Sequence, residues 1–137
     1  MSLTLVRKDS TLILFKLITG VLVAFIISCS VFFINPMHTD PRFGLCVGGL
    51  FAAVGNKYIV EGIVPSSNVV SMLDNIHNIT FVYILIIISL SIFSLKLREK
   101  ETEKSTKSSK KLDIISLRFV FVTYTIIITT LILTSIY

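Results

Sequence analysis

Charged residues are scarce in this sequence of 137 residues, and their scarcity argues against a typical soluble domain. Only 15% of the residues are charged, whereas 53% are hydrophobic, and long apolar runs separate the polar segments. A soluble domain spreads charge over its surface, whereas a bilayer protein confines charge to its loops. The net charge of +5 does not indicate nucleic-acid binding, because the basic residues flank apolar runs.

Tryptophan is absent, and cysteine and histidine occur only twice each. Cys29 and Cys46 both fall inside apolar runs, where cysteine usually acts as a small hydrophobe and not as half of a disulfide. Neither His38 nor His77 has the spacing of a metal ligand to a cysteine or a carboxylate. We therefore expect no disulfide, no metal site and no cofactor.

The acidic residues are few, and they do not form a catalytic set. Enzymes that work inside a membrane need converging Asp pairs, a His/Glu metal set or a Ser/His pair at depth. We expect all of the carboxylates to lie at or outside the membrane interfaces, namely Asp9, Asp40, Glu61, Asp74, Glu99, Glu101, Glu103 and Asp113. The sequence therefore does not predict an enzyme, and it has no inverted repeat typical of a transporter.

Four apolar runs are long enough to cross a bilayer as helices. A helix needs about 20 residues to cross a hydrocarbon core of roughly 30 Å, and open sheets are not tolerated in lipid. The sequence thus predicts an all-α membrane protein, a single four-helix transmembrane domain. Its spans are predicted at about residues 11–35, 43–60, 69–97 and 115–137. The polar segment at about 98–114 reads as a flexible loop or frayed helix ends.

Basic residues set the predicted orientation of these spans. Eight of the 13 Lys and Arg residues lie around the loop at about 98–114, which the positive-inside rule places in the cytoplasm. Counting spans outward then leaves both termini external. Arg7 and Lys8 oppose this orientation. We expect them either to follow a translocated domain or to be carried outside by the loop signal. The short loop favours a bacterial inner membrane.

The second span carries an unusual number of small residues. Its small residues fall on one arc of a helical wheel, namely Gly44, Gly48, Gly49, Ala52, Ala53 and Gly55. Larger residues fall on the other arc, namely Phe43, Val47, Leu50, Val54 and Tyr58. One interpretation is a packing face, because small residues spaced four apart let membrane helices approach closely. The other is the border of a water-filled path, which Asn56 and Lys57 favour because polar groups at membrane depth need water or a partner. Lys57 is also close enough to the interface to act as an anchor.

The sequence around this span resembles a known family. The stretch DPRFGLCVGGLFAAVGNKYIVEGIVPSSNVVSMLDNIHNITF resembles the second and third membrane helices of bacterial-type pentameric ligand-gated ion channels, the relatives of the Cys-loop receptors. Arg42, Pro65 and Asp74 stand 23 and 9 residues apart, as the corresponding residues do in that family. The beginning, VRKDSTLILFKLITG, is similar to the family's first helix.

The resemblance implies a homopentameric ring in a lipid bilayer, with the second helix lining a pore for inorganic ions. The implied pore-lining residues are Gly44, Gly48, Phe51 and Gly55, with Asp40 and Arg42 at the inner mouth and Lys57 and Asp74 at the outer mouth. Phe51 would form the apolar constriction. The family's extracellular ligand-binding domain is expected to be lost or separate. The alternative function is a non-conducting four-helix assembly module that packs through its glycine-rich face.

Overall fold

The computed structural model describes residues 2–35, 37–63, 68–99 and 103–136. In this part of the chain the secondary structure consists of four long α-helices and one short 3-10 helix. The α-helices are α1 (Ser2–Cys29), α2 (Thr39–Ile63), α3 (Asn68–Arg98) and α4 (Glu103–Ile136), and the 3-10 helix spans Ser30–Phe33. The predicted all-α fold is confirmed.

Among the described residues, four helical segments are long and apolar enough to cross a membrane, and the first of them continues from α1 into the 3-10 helix. The segments run over Phe15–Phe33, Thr39–Gly62, Met72–Arg98 and Thr106–Thr134. In a hydrocarbon core, every backbone polar group must be satisfied within the protein, and a helix does this within a single segment. Four such helices indicate an integral membrane protein.

The helices follow one another up and down, so their ends gather at two levels. At one level α1 and α3 end while α2 and α4 begin, and we call this level the basic end. Lys96 and Lys107 lie there, exposed, together with Lys110 and Lys111. The opposite end contains the start of α3 and the end of α2. Pro65, which carries part of the family resemblance, lies outside the described residues.

Most of the hydrophobic core is built by α1, α3 and α4. Phe25 of α1 stacks on Tyr124 of α4 with ring centroids 3.7 Å apart, and Tyr83 of α3 meets Tyr124 edge-on at 5.3 Å. In contrast, α2 joins the bundle through smaller side chains, such as Ala53, which is buried with Ala24 and Ile84. Consequently α2 packs at the side of the bundle and keeps one face open.

The connection between α3 and α4 is shorter than the sequence predicts. The polar segment predicted as a loop at about 98–114 is helical from Glu103 onward. Two of its polar residues, Ser109 and Asp113, are buried and have partners inside the bundle, which favours a helix packed against α3. Ser109 donates a hydrogen bond to the carbonyl of Ser94 at 3.2 Å, and the two hydroxyls lie 2.9 Å apart.

Candidate functional site

The four predicted pore-lining residues lie together on the open face of α2. Gly44, Gly48, Phe51 and Gly55 are all exposed, and Phe51 exposes 71% of its surface. A Cβ atom added at any of the three glycines would meet no other atom within 4 Å. We call this face the α2 stripe, and it consists of these four residues together with the three described next.

Three further exposed residues extend the α2 stripe at its two ends. Asp40 precedes Gly44 by one turn, at the basic end. Tyr58 is 69% exposed, and Gly62 has open space around it, at the opposite end. Sequence reasoning placed Tyr58 on the other arc of the helix and did not use Gly62. Tyr58 and Gly62 follow Gly55 by three and seven residues, and this helical spacing could have placed them on the same face.

Gly49, a small residue of α2 outside the stripe, allows α2 to pack closely against α1. A Cβ atom at Gly49 would overlap the side chain of Ser28 and lie 3.2 Å from the carbonyl oxygen of Ala24. On the facing helix, a Cβ atom at Gly20 would collide with the amide of Asn56. Small residues thus allow close helix contact at these two positions, as expected in membranes. The single small-residue arc of the sequence therefore splits into a packed part and an open part.

Arg42 lies inside the bundle and not at an open mouth. The residue is only 3% exposed, and its side chain donates three hydrogen bonds at the basic end. Nη2 donates to Oδ2 of Asp113 on α4 at 2.6 Å, Nη1 donates to Ser91 on α3 at 3.3 Å, and Nε donates to the carbonyl of Ile34 at 3.0 Å. A buried guanidinium is tolerated only when it is paired and hydrogen-bonded in this way.

Asp113 is 3% exposed and therefore buried within the protein, while its expected position at or outside the membrane interface stays a prediction. One carboxylate oxygen accepts a hydrogen bond from Arg42, and the other, Oδ1, is buried and has no hydrogen-bond partner among the described residues. A single carboxylate in a run of lysines is typical of a solvated charge, so nothing in the local sequence indicates this contact. The basic end therefore holds a buried ion pair that ties α2 to α4.

Asn56 does not face a water-filled path. Its Nδ2 donates to the carbonyl of Leu17 on α1 at 2.9 Å and lies 3.2 Å from Nε2 of His77 on α3. His77 is 1% exposed, and its Nδ1 lies 2.8 Å from the carbonyl of Leu73. Because a carbonyl only accepts, Nδ1 carries the proton and Nε2 accepts from Asn56. These polar residues join three helices near the opposite end.

The two predicted outer-mouth residues, Lys57 and Asp74, are not paired with each other. Lys57 is half-buried, and its Nζ lies 3.9 Å from a carboxylate oxygen of Glu61, one turn further along α2. Asp74 is half-buried on α3, and its Oδ1 is enclosed without a hydrogen-bond partner. Lys57 lies well off the α2 stripe, because it follows Gly55 by two residues and is turned away from it by about 200°.

A groove of about 410 Å³ runs between α2 and α3 beside the basic end of the α2 stripe. Phe43 and Gly44 line it on α2, and Ile88 and Ile92 line it on α3. Asp40, Arg42 and Ser91 also contribute to its wall, which is mostly apolar. No group of three metal-ligating side chains is present in the described parts of the chain.

A scan against protein-family models, a search of curated proteins and a search of solved structures each gave no match for this chain. The functional interpretation therefore depends on the chain's own residues and their arrangement. Two features of that arrangement matter most. One is the α2 stripe, and the other is the set of hydrogen bonds that Arg42 and Asn56 make with the neighbouring helices.

Proposed function

We propose that this chain is a subunit of a channel-type membrane protein related to the pentameric ligand-gated ion channels. In this proposal five copies form a ring, and the α2 stripe of each copy lines a pore for inorganic ions. The observation that carries the proposal is the placement of the predicted pore-lining residues. Gly44, Gly48, Phe51 and Gly55 share one continuous exposed face of α2, and no described residue packs against its three glycines.

The composition of the α2 stripe supports a neighbour or a water path more than it supports lipid. Exposed faces elsewhere carry large apolar side chains, such as Phe119, Ile126 and Leu133 on α4, which suit contact with acyl chains. The α2 stripe instead has glycine at four of its seven positions. Small residues on an outward membrane face are typical of close helix contact in an assembly. The groove between α2 and α3 gives an adjacent subunit a concave surface to pack against.

The polar residues of α2 support the same assignment by exclusion. Arg42 and Asn56 are bonded within the subunit, so neither side chain competes for the pore axis. Phe51 is then the large apolar residue in the middle of the α2 stripe, between Gly48 and Gly55. A ring of such residues can close a pore by excluding water. Opening would follow from a tilt or rotation of α2 that withdraws Phe51 from the axis.

The proposed orientation places the basic end in the cytoplasm and both termini outside. The exposed lysines at that end, such as Lys96, Lys107 and Lys111, carry this assignment through the positive-inside rule. A bacterial inner membrane is the proposed location. Gating by a ligand would require an extracellular ligand-binding domain or partner that approaches the opposite end.

The test of the gate is Phe51→Ser in protein reconstituted into liposomes. We expect a higher resting ion flux than in the wild type, because a hydroxyl stabilises water in the constriction. Phe119→Ser is the matched control, since Phe119 is 67% exposed on α4 and does not lie on the stripe. Equal flux for Phe51→Ser and the wild type would show that Phe51 is not the gate.

The second candidate function is a non-conducting four-helix module that assembles through the same glycine-rich face. The spacing of Gly44 and Gly48, four residues apart and both open, favours it. Here Gly48→Leu should prevent assembly, while ion flux is absent both before and after the substitution. Gel filtration in detergent combined with the liposome flux assay separates this module from a channel.

A further inference from the structure

We propose that Asp113, on α4, determines the charge of the pore's inner mouth by neutralising Arg42 and holding it inside the subunit. Asp40 is then the charged residue at the basic end of the α2 stripe, and the mouth is acidic and selects cations. This inference rests on the proposed channel function. It assigns a selectivity role to a residue that lies on a helix away from the pore.

Helix geometry turns the side chains of Asp40 and Arg42 in different directions, although both residues contribute to the wall of the groove between α2 and α3. They are two residues apart in α2, so their side chains point about 200° away from each other. Asp40 is exposed and continues the α2 stripe, whereas Arg42 is 3% exposed. The sequence alone gives the mouth both signs of charge. In the structure the negative charge of Asp40 lies on the open face, and the positive charge of Arg42 lies in the interior.

The contacts of Arg42 hold its charge away from the stripe. The hydrogen bond from Nη2 to Asp113 spans only 2.6 Å, and both side chains are 4% exposed. A hydrogen bond between two charged groups is stronger than one between neutral groups. Two further hydrogen bonds, to Ser91 and to the carbonyl of Ile34, hold the guanidinium in place. The pair is neutral as a whole, so it contributes little field at the pore axis.

Asp40 has no such compensation. It takes part in no ion pair among the residues that the structure describes. Five copies of Asp40 around an axis would place five carboxylates at one level, and acidic rings of this kind favour cations. The exposed lysines of the basic end belong to α3 and α4, so they do not lie on the α2 stripe.

The test is the reversal potential of the reconstituted protein in a planar bilayer under a KCl gradient. Because Phe51 closes the proposed pore at rest, every protein in this test carries Phe51→Ser, and that variant is the parent. Four further variants are compared with the parent: Asp40→Asn, Asp113→Asn, the double variant Arg42→Met with Asp113→Leu, and Glu99→Gln. The double variant replaces the ion pair by apolar residues, an exchange that buried pairs often tolerate without loss of stability. Glu99 is an exposed carboxylate at the end of α3, away from the stripe, and serves as the control.

We expect the parent to have a reversal potential on the potassium side, which Glu99→Gln and the double variant both preserve. Asp40→Asn should move it toward zero, and Asp113→Asn should move it toward the chloride side, because Arg42 is then left unpaired. If Asp113→Asn does not assemble, the double variant and Asp40→Asn decide the matter.

Three results would overturn the inference while leaving the channel in place. One is a double variant more selective for potassium than the parent, which would mean that Arg42 faces the pore. The second is an unchanged reversal potential in Asp40→Asn, and the third is an unchanged reversal potential in an assembled Asp113→Asn. A Phe51→Ser parent that passes no current would overturn the proposed pore and its gate, and this inference with them.

Discussion

The adjacent glycines Gly48 and Gly49 allow the packing of α2 to be measured with one methyl group. Gly48→Ala adds that methyl to open space, whereas Gly49→Ala forces it against Ser28 and the backbone of Ala24. Each substitution gains about 0.5–1 kcal/mol of helix stability. Overpacking costs about 1–3 kcal/mol where the neighbours cannot withdraw. The helix contribution cancels between the two variants, so Gly49→Ala should be less stable than Gly48→Ala by about 1–3 kcal/mol.

The assay uses the two buried cysteines, because the chain has no tryptophan to report unfolding. The protein is heated in detergent with a thiol-reactive fluorescent maleimide, and labelling of Cys29 and Cys46 marks the unfolding temperature. Gly55→Ala is a second control, since its added methyl also meets open space. Equal unfolding temperatures for Gly48→Ala and Gly49→Ala would refute the described contact between α1 and α2. A lower unfolding temperature for Gly48→Ala than for Gly49→Ala would mean that the face with Gly48, and not the face with Gly49, packs against α1.

Three further substitutions test the polar contacts of the bundle by the same thermal assay. His77→Leu should lower the free energy of unfolding by about 1–3 kcal/mol, because Asn56 loses its buried acceptor. Gly20→Ala should also destabilise the fold, since its Cβ would lie 2.8 Å from Cγ of Asn56 and displace the amide from its partners. Tyr124→Phe should cost about 0.5–1.5 kcal/mol, because the phenol is 2.9 Å from the hydroxyl of Thr80, and an unchanged unfolding temperature would contradict that bond.

The sequence predicted the number and type of the helices because the bilayer allows few alternatives. An apolar run of about 20 residues in lipid must satisfy its backbone internally, so length and hydropathy decide the outcome. The open face of α2 was also predictable in part, because Gly44, Gly48 and Gly55 follow the helical period. The start of α4 was not, since a Lys- and Ser-rich segment resembles a loop until Ser109 and Asp113 have buried partners.

The polar contacts between helices could not be predicted from the sequence. Arg42 and Asp113 are 71 residues apart, and nothing in either local segment indicates the other. Similarly, Asn56 suggests a water path by its depth alone, while its bonds to Leu17 and His77 depend on how three helices are placed together. Periodicity gives the face on which a residue lies, but not whether a neighbouring helix covers that face.

The most direct test of the proposed channel is the subunit count of the protein in lipid nanodiscs, determined by single-particle imaging. The account predicts a ring of five subunits with α2 innermost and with Gly44, Gly48, Phe51 and Gly55 facing the axis. A monomer, a dimer or a ring in which another helix lines the axis would contradict it. The α2 stripe would then be a packing surface and not the wall of a pore.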